Sequence, residues 1–122
     1  MKKLLITLLL ISPFSFADWG DVYYCQMTSL SDVDADGKRT DYKLEKFQFK
    51  LDEAKKSMVF GNSGYFKDQK LKLDDYWSLY QPERRWKATW QNYTLKFIDG
   101  KFILSSVFYG SISSVTADCD KF

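Results

Sequence analysis

Residues 93–110 read YTLKFIDGKFILSSVFYG and carry the clearest structural signal in the chain. Apolar and polar side chains alternate over residues 93–97, Asp99-Gly100 follows, and a second apolar-rich run extends from Lys101 to Tyr109. An Asp-Gly pair between two such runs is the strongest short-range signal for a β-hairpin, because both central positions of the tight turn need positive φ. The stretch therefore predicts two antiparallel strands joined by a two-residue turn.

The same alternation recurs along the rest of the chain, and no window of about 12 residues holds a helical stripe. Other alternating sets are Tyr23, Cys25 and Met27; Phe47, Phe49 and Leu51; Leu71 and Leu73; Trp86, Ala88 and Trp90; and Val115, Ala117 and Cys119. About eight or nine short strands are expected, each paired with its neighbours in sequence. This pattern predicts an all-β fold: a small antiparallel up-and-down β-barrel, lipocalin-like in shape, or a sandwich.

Two cysteines lie near opposite ends of the predicted sheet, Cys25 in the first strand and Cys119 in the last. An even cysteine count in an exported chain indicates a disulfide. A disulfide needs Cα atoms about 6 Å apart, and the first and last strands come that close only if the sheet curls round on itself. We therefore expect a disulfide that fixes the seam of a barrel.

The first 17 residues, MKKLLITLLLISPFSFA, have the three parts of a secretory signal peptide. Lys2 and Lys3 precede an apolar core, and Ser15-Phe16-Ala17 places small residues at the cleavage position. The apolar stretch is much shorter than the roughly 20 residues that span a bilayer. Residues 1–17 are thus expected to be cleaved, leaving 18–122 as a single periplasmic or secreted domain with no membrane span.

Cleavage would remove Lys2 and Lys3 and no acidic residue, so the formal charge of +2 for the whole chain falls to zero. A neutral domain offers no electrostatic basis for binding nucleic acid. The chain contains no histidine, which rules out Ser-His-Asp and Cys-His catalytic arrangements and histidine-based metal sites. We predict a binding protein and not an enzyme.

Residues 32–41, DVDADGKRTD, resemble the first half of an EF-hand calcium loop. Asp32, Asp34 and Asp36 occupy the first three ligand positions and Gly37 the turn position. The resemblance ends at Lys43, where such a loop has a bidentate glutamate. Calcium, held weakly by the three aspartates, is the one cofactor that the sequence suggests. The alternative is a solvated hairpin loop built on Asp-Gly turn chemistry.

Aromatic residues make up 18% of the chain, and most are expected to fill the interior of a small barrel. One group clusters in sequence: Trp77, Tyr80, Trp86, Trp90 and Tyr93. Amphipathic rings near a barrel mouth can line an apolar pocket or stack on sugar faces. This group is the predicted binding site for a small apolar or glycan ligand.

The Tyr23-Tyr24-Cys25 sequence in the first strand, together with a cysteine in the last strand, is similar to the pattern of periplasmic lysozyme-inhibitor barrels. The likeness covers the cysteine placement and the size of the domain. It implies a filled barrel that binds an exported protein partner through a protruding loop. Two alternatives to a ligand-binding role thus remain. The resemblance favours a protein-interaction or inhibitor module, and the acidic loop favours a calcium-stabilised structural protein.

Overall fold

A computed structural model of the protein describes residues 17–73, 86–90 and 92–122. Most of the predicted signal peptide, residues 1–16, lies outside this part. The described residues form nine strands and no helix. None of them therefore belongs to a helix that is long and apolar enough to cross a membrane. The strands are β1 (Val22–Val33), β2 (Arg39–Asp41), β3 (Lys46–Asp52), β4 (Ser57–Phe60), β5 (Lys70–Lys72), β6 (Trp86–Trp90), β7 (Tyr93–Ile98), β8 (Lys101–Phe108) and β9 (Ser111–Lys121).

The strands form one antiparallel sheet in the order β5-β4-β3-β1-β9-β8-β7-β6, with β2 paired to the end of β1. The first strand thus lies between β3 and the last strand, and the sheet is a nearly closed barrel. Cys25 and Cys119 face each other across the β1–β9 seam and form a disulfide. The predicted all-β barrel and the disulfide between its first and last strands are both confirmed.

The two ends of the barrel are marked by the tight turns that flank β8. At one end, Asp99 and Gly100 connect β7 to β8 with φ of 51° and 76°. At the other, Tyr109 and Gly110 connect β8 to β9 with φ of 46° and 81°. Positive φ at both central residues defines the turn that matches the twist of a hairpin. The predicted Asp99-Gly100 hairpin is confirmed, and we call the two ends the Gly100 end and the Gly110 end.

A β-bulge at Thr28 changes which side chains of β1 point into the barrel. Before the bulge, Met27 is paired with Ala117, whereas after it Leu30 is paired with Val115. An inserted residue shifts the two-residue alternation by one position. Both Met27 and Leu30 are consequently buried, although they are three residues apart.

Aromatic rings fill the described part of the interior. Phe49 lies at its centre, with ring centroids 5.2 Å from Phe97 and 5.5 Å from Tyr23. Further rings in mutual contact are Phe47, Phe60, Phe66 and Phe102. Stacked and edge-to-face contacts between aromatic rings stabilise a core beyond the area that they bury. The Gly100 end is packed as well, because Trp19 lies edge-on to Trp86 with centroids 4.7 Å apart.

Candidate functional site

The predicted aromatic group is only partly covered by the described residues. Trp77 and Tyr80 fall in residues 74–85, outside the described part, as does the side chain of Trp90. Trp86 is buried against Trp19 at the Gly100 end, and Tyr93 packs on the edge of the core.

Trp86 and Tyr93 are separated along the barrel. The register partner of Tyr93 is Trp90, four residues along β6 from Trp86. Four residues of a strand span about 13 Å. The described structure therefore does not bring these two rings together, and a site formed by the whole group remains a prediction.

The acidic loop is a compact turn between β1 and β2. One oxygen of the Asp34 carboxylate accepts hydrogen bonds from the backbone N–H groups of Asp36 (3.0 Å) and Lys38 (2.9 Å). The backbone N–H of Gly37 bonds to the Asp34 carbonyl, and Gly37 has a φ of 83°. An aspartate that bonds backbone groups ahead of it is the usual way in which this residue builds a turn.

The three aspartates of this loop have different surroundings. Asp32 is part of a hydrogen-bond network within the fold, Asp34 closes the turn, and the Asp36 side chain is exposed. No group of three or more acidic, histidine or cysteine side chains converges on one point within the described residues. Calcium binding by Asp32, Asp34 and Asp36 stays a prediction.

A pocket opens at the Gly110 end, beside the acidic loop. It has a volume of about 330 Å³, within the range of small-molecule sites. Leu30, buried in the core, lies at its base. The other residues that line it are Asp32, Tyr42, Lys43, Glu45, Tyr65 and Ser113. We call this the mouth pocket.

Two hydrogen bonds hold the Asp32 carboxylate in the mouth pocket. One of its oxygens accepts a hydrogen bond of 2.6 Å from the Ser113 hydroxyl on β9, and the other accepts one of 3.0 Å from the Tyr42 hydroxyl. Two donors from separate elements fix the orientation of the carboxylate. The remaining lone pairs of its oxygens leave it able to accept a further hydrogen bond.

The acidic side chains of the mouth pocket contribute to raising the pKa of both of its tyrosines. Burial raises the pKa of the Tyr65 hydroxyl above its ordinary value, and the charges of Asp32 and Glu45 raise it further. The hydrogen bond to Asp32 raises the pKa of Tyr42. Both hydroxyls therefore stay protonated at neutral pH and can donate hydrogen bonds.

Of the residues that line the mouth pocket, the sequence singled out Asp32 as a candidate site residue, in a calcium loop. Tyr42 and Tyr65 were missed because they lie in irregular segments and belong to no periodic pattern. The only signal near them is the turn sequence Gly61-Asn62-Ser63-Gly64 directly before Tyr65.

A second depression, of about 400 Å³, lies on the outer surface of the barrel across β9, β1 and β3. Its walls combine a half-exposed tyrosine with amide and charged groups. The outward-facing residues that line it are Tyr24, Gln26, Lys46, Gln48, Asp118 and Asp120, together with Ser63 of the loop after β4. We call this the outer groove.

The β8–β9 hairpin carries a third surface feature, the hairpin tip, formed by Val107, Phe108, Tyr109 and Ile112. All four side chains are more than half exposed, and Tyr109 is fully so. Val107 and Ile112 are register partners, which makes the apolar surface continuous across the two strands. Large apolar side chains grouped in this way mark interaction sites.

No protein-family model matches the chain, and no curated protein or solved structure is significantly similar to it. The class of the protein therefore follows from its own geometry. It is a small, nearly closed antiparallel β-barrel with a buried aromatic cluster and a disulfide between its first and last strands.

Proposed function

We propose that this protein is an exported binding barrel whose mouth pocket takes a glycan. One observation carries the proposal. The mouth pocket combines two tyrosine rings with side chains that donate and accept hydrogen bonds, and apolar Leu30 forms its base. A pyranose ring has the same two properties, an apolar C–H face and a rim of hydroxyl groups. The polar lining favours such a ligand over a purely apolar one.

Each type of side chain in the pocket has a role toward a sugar. The rings of Tyr42 and Tyr65 offer faces for the apolar side of the sugar. Asp32 and Glu45 accept hydrogen bonds from sugar hydroxyls, and Lys43 donates them. The volume of about 330 Å³ lies at the small end of ligand sites, which suits one or two sugar units.

Export is the second part of the proposal. The Cys25–Cys119 disulfide is consistent with an oxidising compartment, because disulfides persist outside the cytosol. The signal-like sequence over residues 1–17 supports the same location. N-terminal sequencing of the protein purified from the periplasm or the medium tests this, and a mature chain beginning at Asp18 is expected.

Isothermal titration calorimetry with disaccharides of glucose and of N-acetylglucosamine tests the binding role. We expect one of them to bind, and Tyr65→Ala to weaken that binding about tenfold through loss of ring contact. Tyr109→Ala serves as the matched control, because Tyr109 is an exposed tyrosine outside the pocket. Equal affinity in wild type and Tyr65→Ala would refute the mouth pocket as the site.

A protein-interaction role is the second candidate, and the hairpin tip favours it. Tyr109 is fully exposed, and its φ of 46° is a conformation that costs energy in any residue except glycine. Exposed tyrosine and phenylalanine are typical anchors of protein interfaces. Pull-down from a periplasmic extract should return one partner with wild type and lose it with Tyr109→Asn. Tyr65→Ala, the control, should retain it.

A further inference from the structure

We infer that the mouth pocket and the outer groove are two subsites for one extended, neutral oligosaccharide that crosses the rim of the barrel at Gly64. This inference rests on the proposed glycan-binding function and adds the length and charge of the ligand. It is carried by the way in which the two depressions adjoin and by the residues that line them.

The two depressions meet along the start of β3. Glu45 lines the mouth pocket, whereas Lys46, the next residue, lines the outer groove. Consecutive Cα atoms are about 3.8 Å apart, so the two depressions adjoin at this point. On the facing loop, Ser63 lines the outer groove and Tyr65 the mouth pocket.

Gly64 is the residue between them, and it lets the loop pack directly on β3. Its backbone lies so close to β3 that an added Cβ would be 2.7 Å from the Lys46 carbonyl oxygen. Its φ of 91° is also strained for any other residue. The loop can therefore pack directly on β3 only with glycine here, and this packing places Ser63 at the outer groove and Tyr65 at the mouth pocket.

The outer groove repeats the chemistry of the mouth pocket. Tyr24 is 46% exposed, and its ring is supported edge-on by Phe122 with centroids 5.2 Å apart. Two amides, Gln26 and Gln48, extend from neighbouring strands on the same outer face as Tyr24. An aromatic face flanked by planar amides supplies both stacking and paired hydrogen bonds for a sugar ring.

The charges of the mouth pocket disfavour an acidic ligand. In the mouth pocket Asp32 and Glu45 outnumber Lys43, and in the outer groove Asp118 and Asp120 outnumber Lys46. Lys101 lies outside the outer groove but pairs with Asp118 at 2.6 Å, so the charges of Asp120 and Lys46 balance there. Carboxylates accept hydrogen bonds from neutral sugar hydroxyls but repel uronic acids and sulfates.

Calorimetric titration with oligomers of one to six units tests the inference, using N-acetylglucosamine and β-linked glucose series. Once both subsites are occupied, the longer oligomers should bind about tenfold more tightly than the disaccharide. Tyr24→Ala should abolish this gain with length, and Tyr65→Ala should weaken binding of every length. Circular dichroism melts confirm that each variant is folded.

The possible failures are distinguishable. If neither series binds at any length, both the inference and the proposed function are overturned. If short and long oligomers bind equally, or Tyr24→Ala keeps the gain with length, the proposed function stands and the two-subsite inference is overturned. Oligogalacturonates of the same lengths should not bind, and binding as tight as that of the neutral series would overturn the inference. Tyr109→Ala should match wild type throughout.

Discussion

Cys25 on β1 and Cys119 on β9 are direct register partners, with Cα atoms 4.0 Å apart although 94 residues separate them in sequence. The disulfide thus joins the first and the last strand of the chain. On both sides of it, backbone pairing continues from Tyr23–Lys121 to Val33–Ile112. This seam holds the sheet in its curled form.

Removing the disulfide should destabilise the protein strongly. Replacing both cysteines, Cys25→Ser with Cys119→Ser, should lower the free energy of unfolding by about 2–5 kcal/mol, because the unfolded chain is no longer closed into a long loop. Urea denaturation of wild type with and without reductant measures the same quantity. A reduced wild type as stable as the oxidised form would contradict the prediction.

Tyr109→Asn should stabilise the protein by about 0.5–1 kcal/mol. The residue adopts positive φ, which asparagine tolerates better than tyrosine, and Asn-Gly is the preferred pair for this turn. Full exposure of the Tyr109 side chain means that little packing is lost. Thermal unfolding measures the gain, with Phe108→Asn as the control outside the strained position. A lower melting temperature for Tyr109→Asn would show that the tyrosine ring stabilises the fold.

Asp34→Ala should cost about 1 kcal/mol, because two backbone N–H groups lose their acceptor in the β1–β2 turn. Asp36→Ala is the matched control, since this carboxylate makes no hydrogen bond with the described residues. If these hydrogen bonds alone hold the turn, the cost of Asp34→Ala is the same in calcium and in chelator. If calcium instead raises the melting temperature of wild type, and raises that of Asp36→Ala by less, the loop binds a calcium ion.

Ionisation of the Tyr23 hydroxyl should make the protein less stable at alkaline pH. Burial, with a contribution from Asp21, raises the pKa of Tyr23 from its ordinary value of 10.0 to about 12 in the folded state. The unfolded chain therefore releases this proton first, and stability falls as pH rises from about 10 toward 12. Tyr23→Phe cannot release a proton, so its urea midpoint should fall less than that of wild type over this interval. Parallel declines in the two proteins would contradict the assignment.

The strand pattern and its closure follow from local and covalent properties of the chain. Alternation over residues 93–98 and the Asp99-Gly100 turn specify a hairpin without reference to other segments. The cysteine positions then require the first and last strands to meet. Side-chain period and turn geometry are local rules, and so the class of fold was predictable from the sequence.

The site depends on relationships that no local rule contains. Unbroken alternation from Cys25 would point Ser29 into the core, but the bulge at Thr28 turns Leu30 into it instead and places Asp32 at the mouth pocket. A bulge is set by pairing with the partner strand and has no signature in the strand's own alternation.

The tyrosines of the mouth pocket also depend on contacts between segments that are distant in sequence. Tyr42 and Tyr65 lie in different irregular segments and share a pocket only because the loop containing Gly64 packs directly on β3. The sequence by itself determined most of the strands, the Asp99-Gly100 turn and the disulfide-closed barrel, but not β2, which lies within the predicted acidic loop. Only the tertiary structure decided which side chains meet at the mouth, because loop packing and the strand bulge depend on contacts between distant segments.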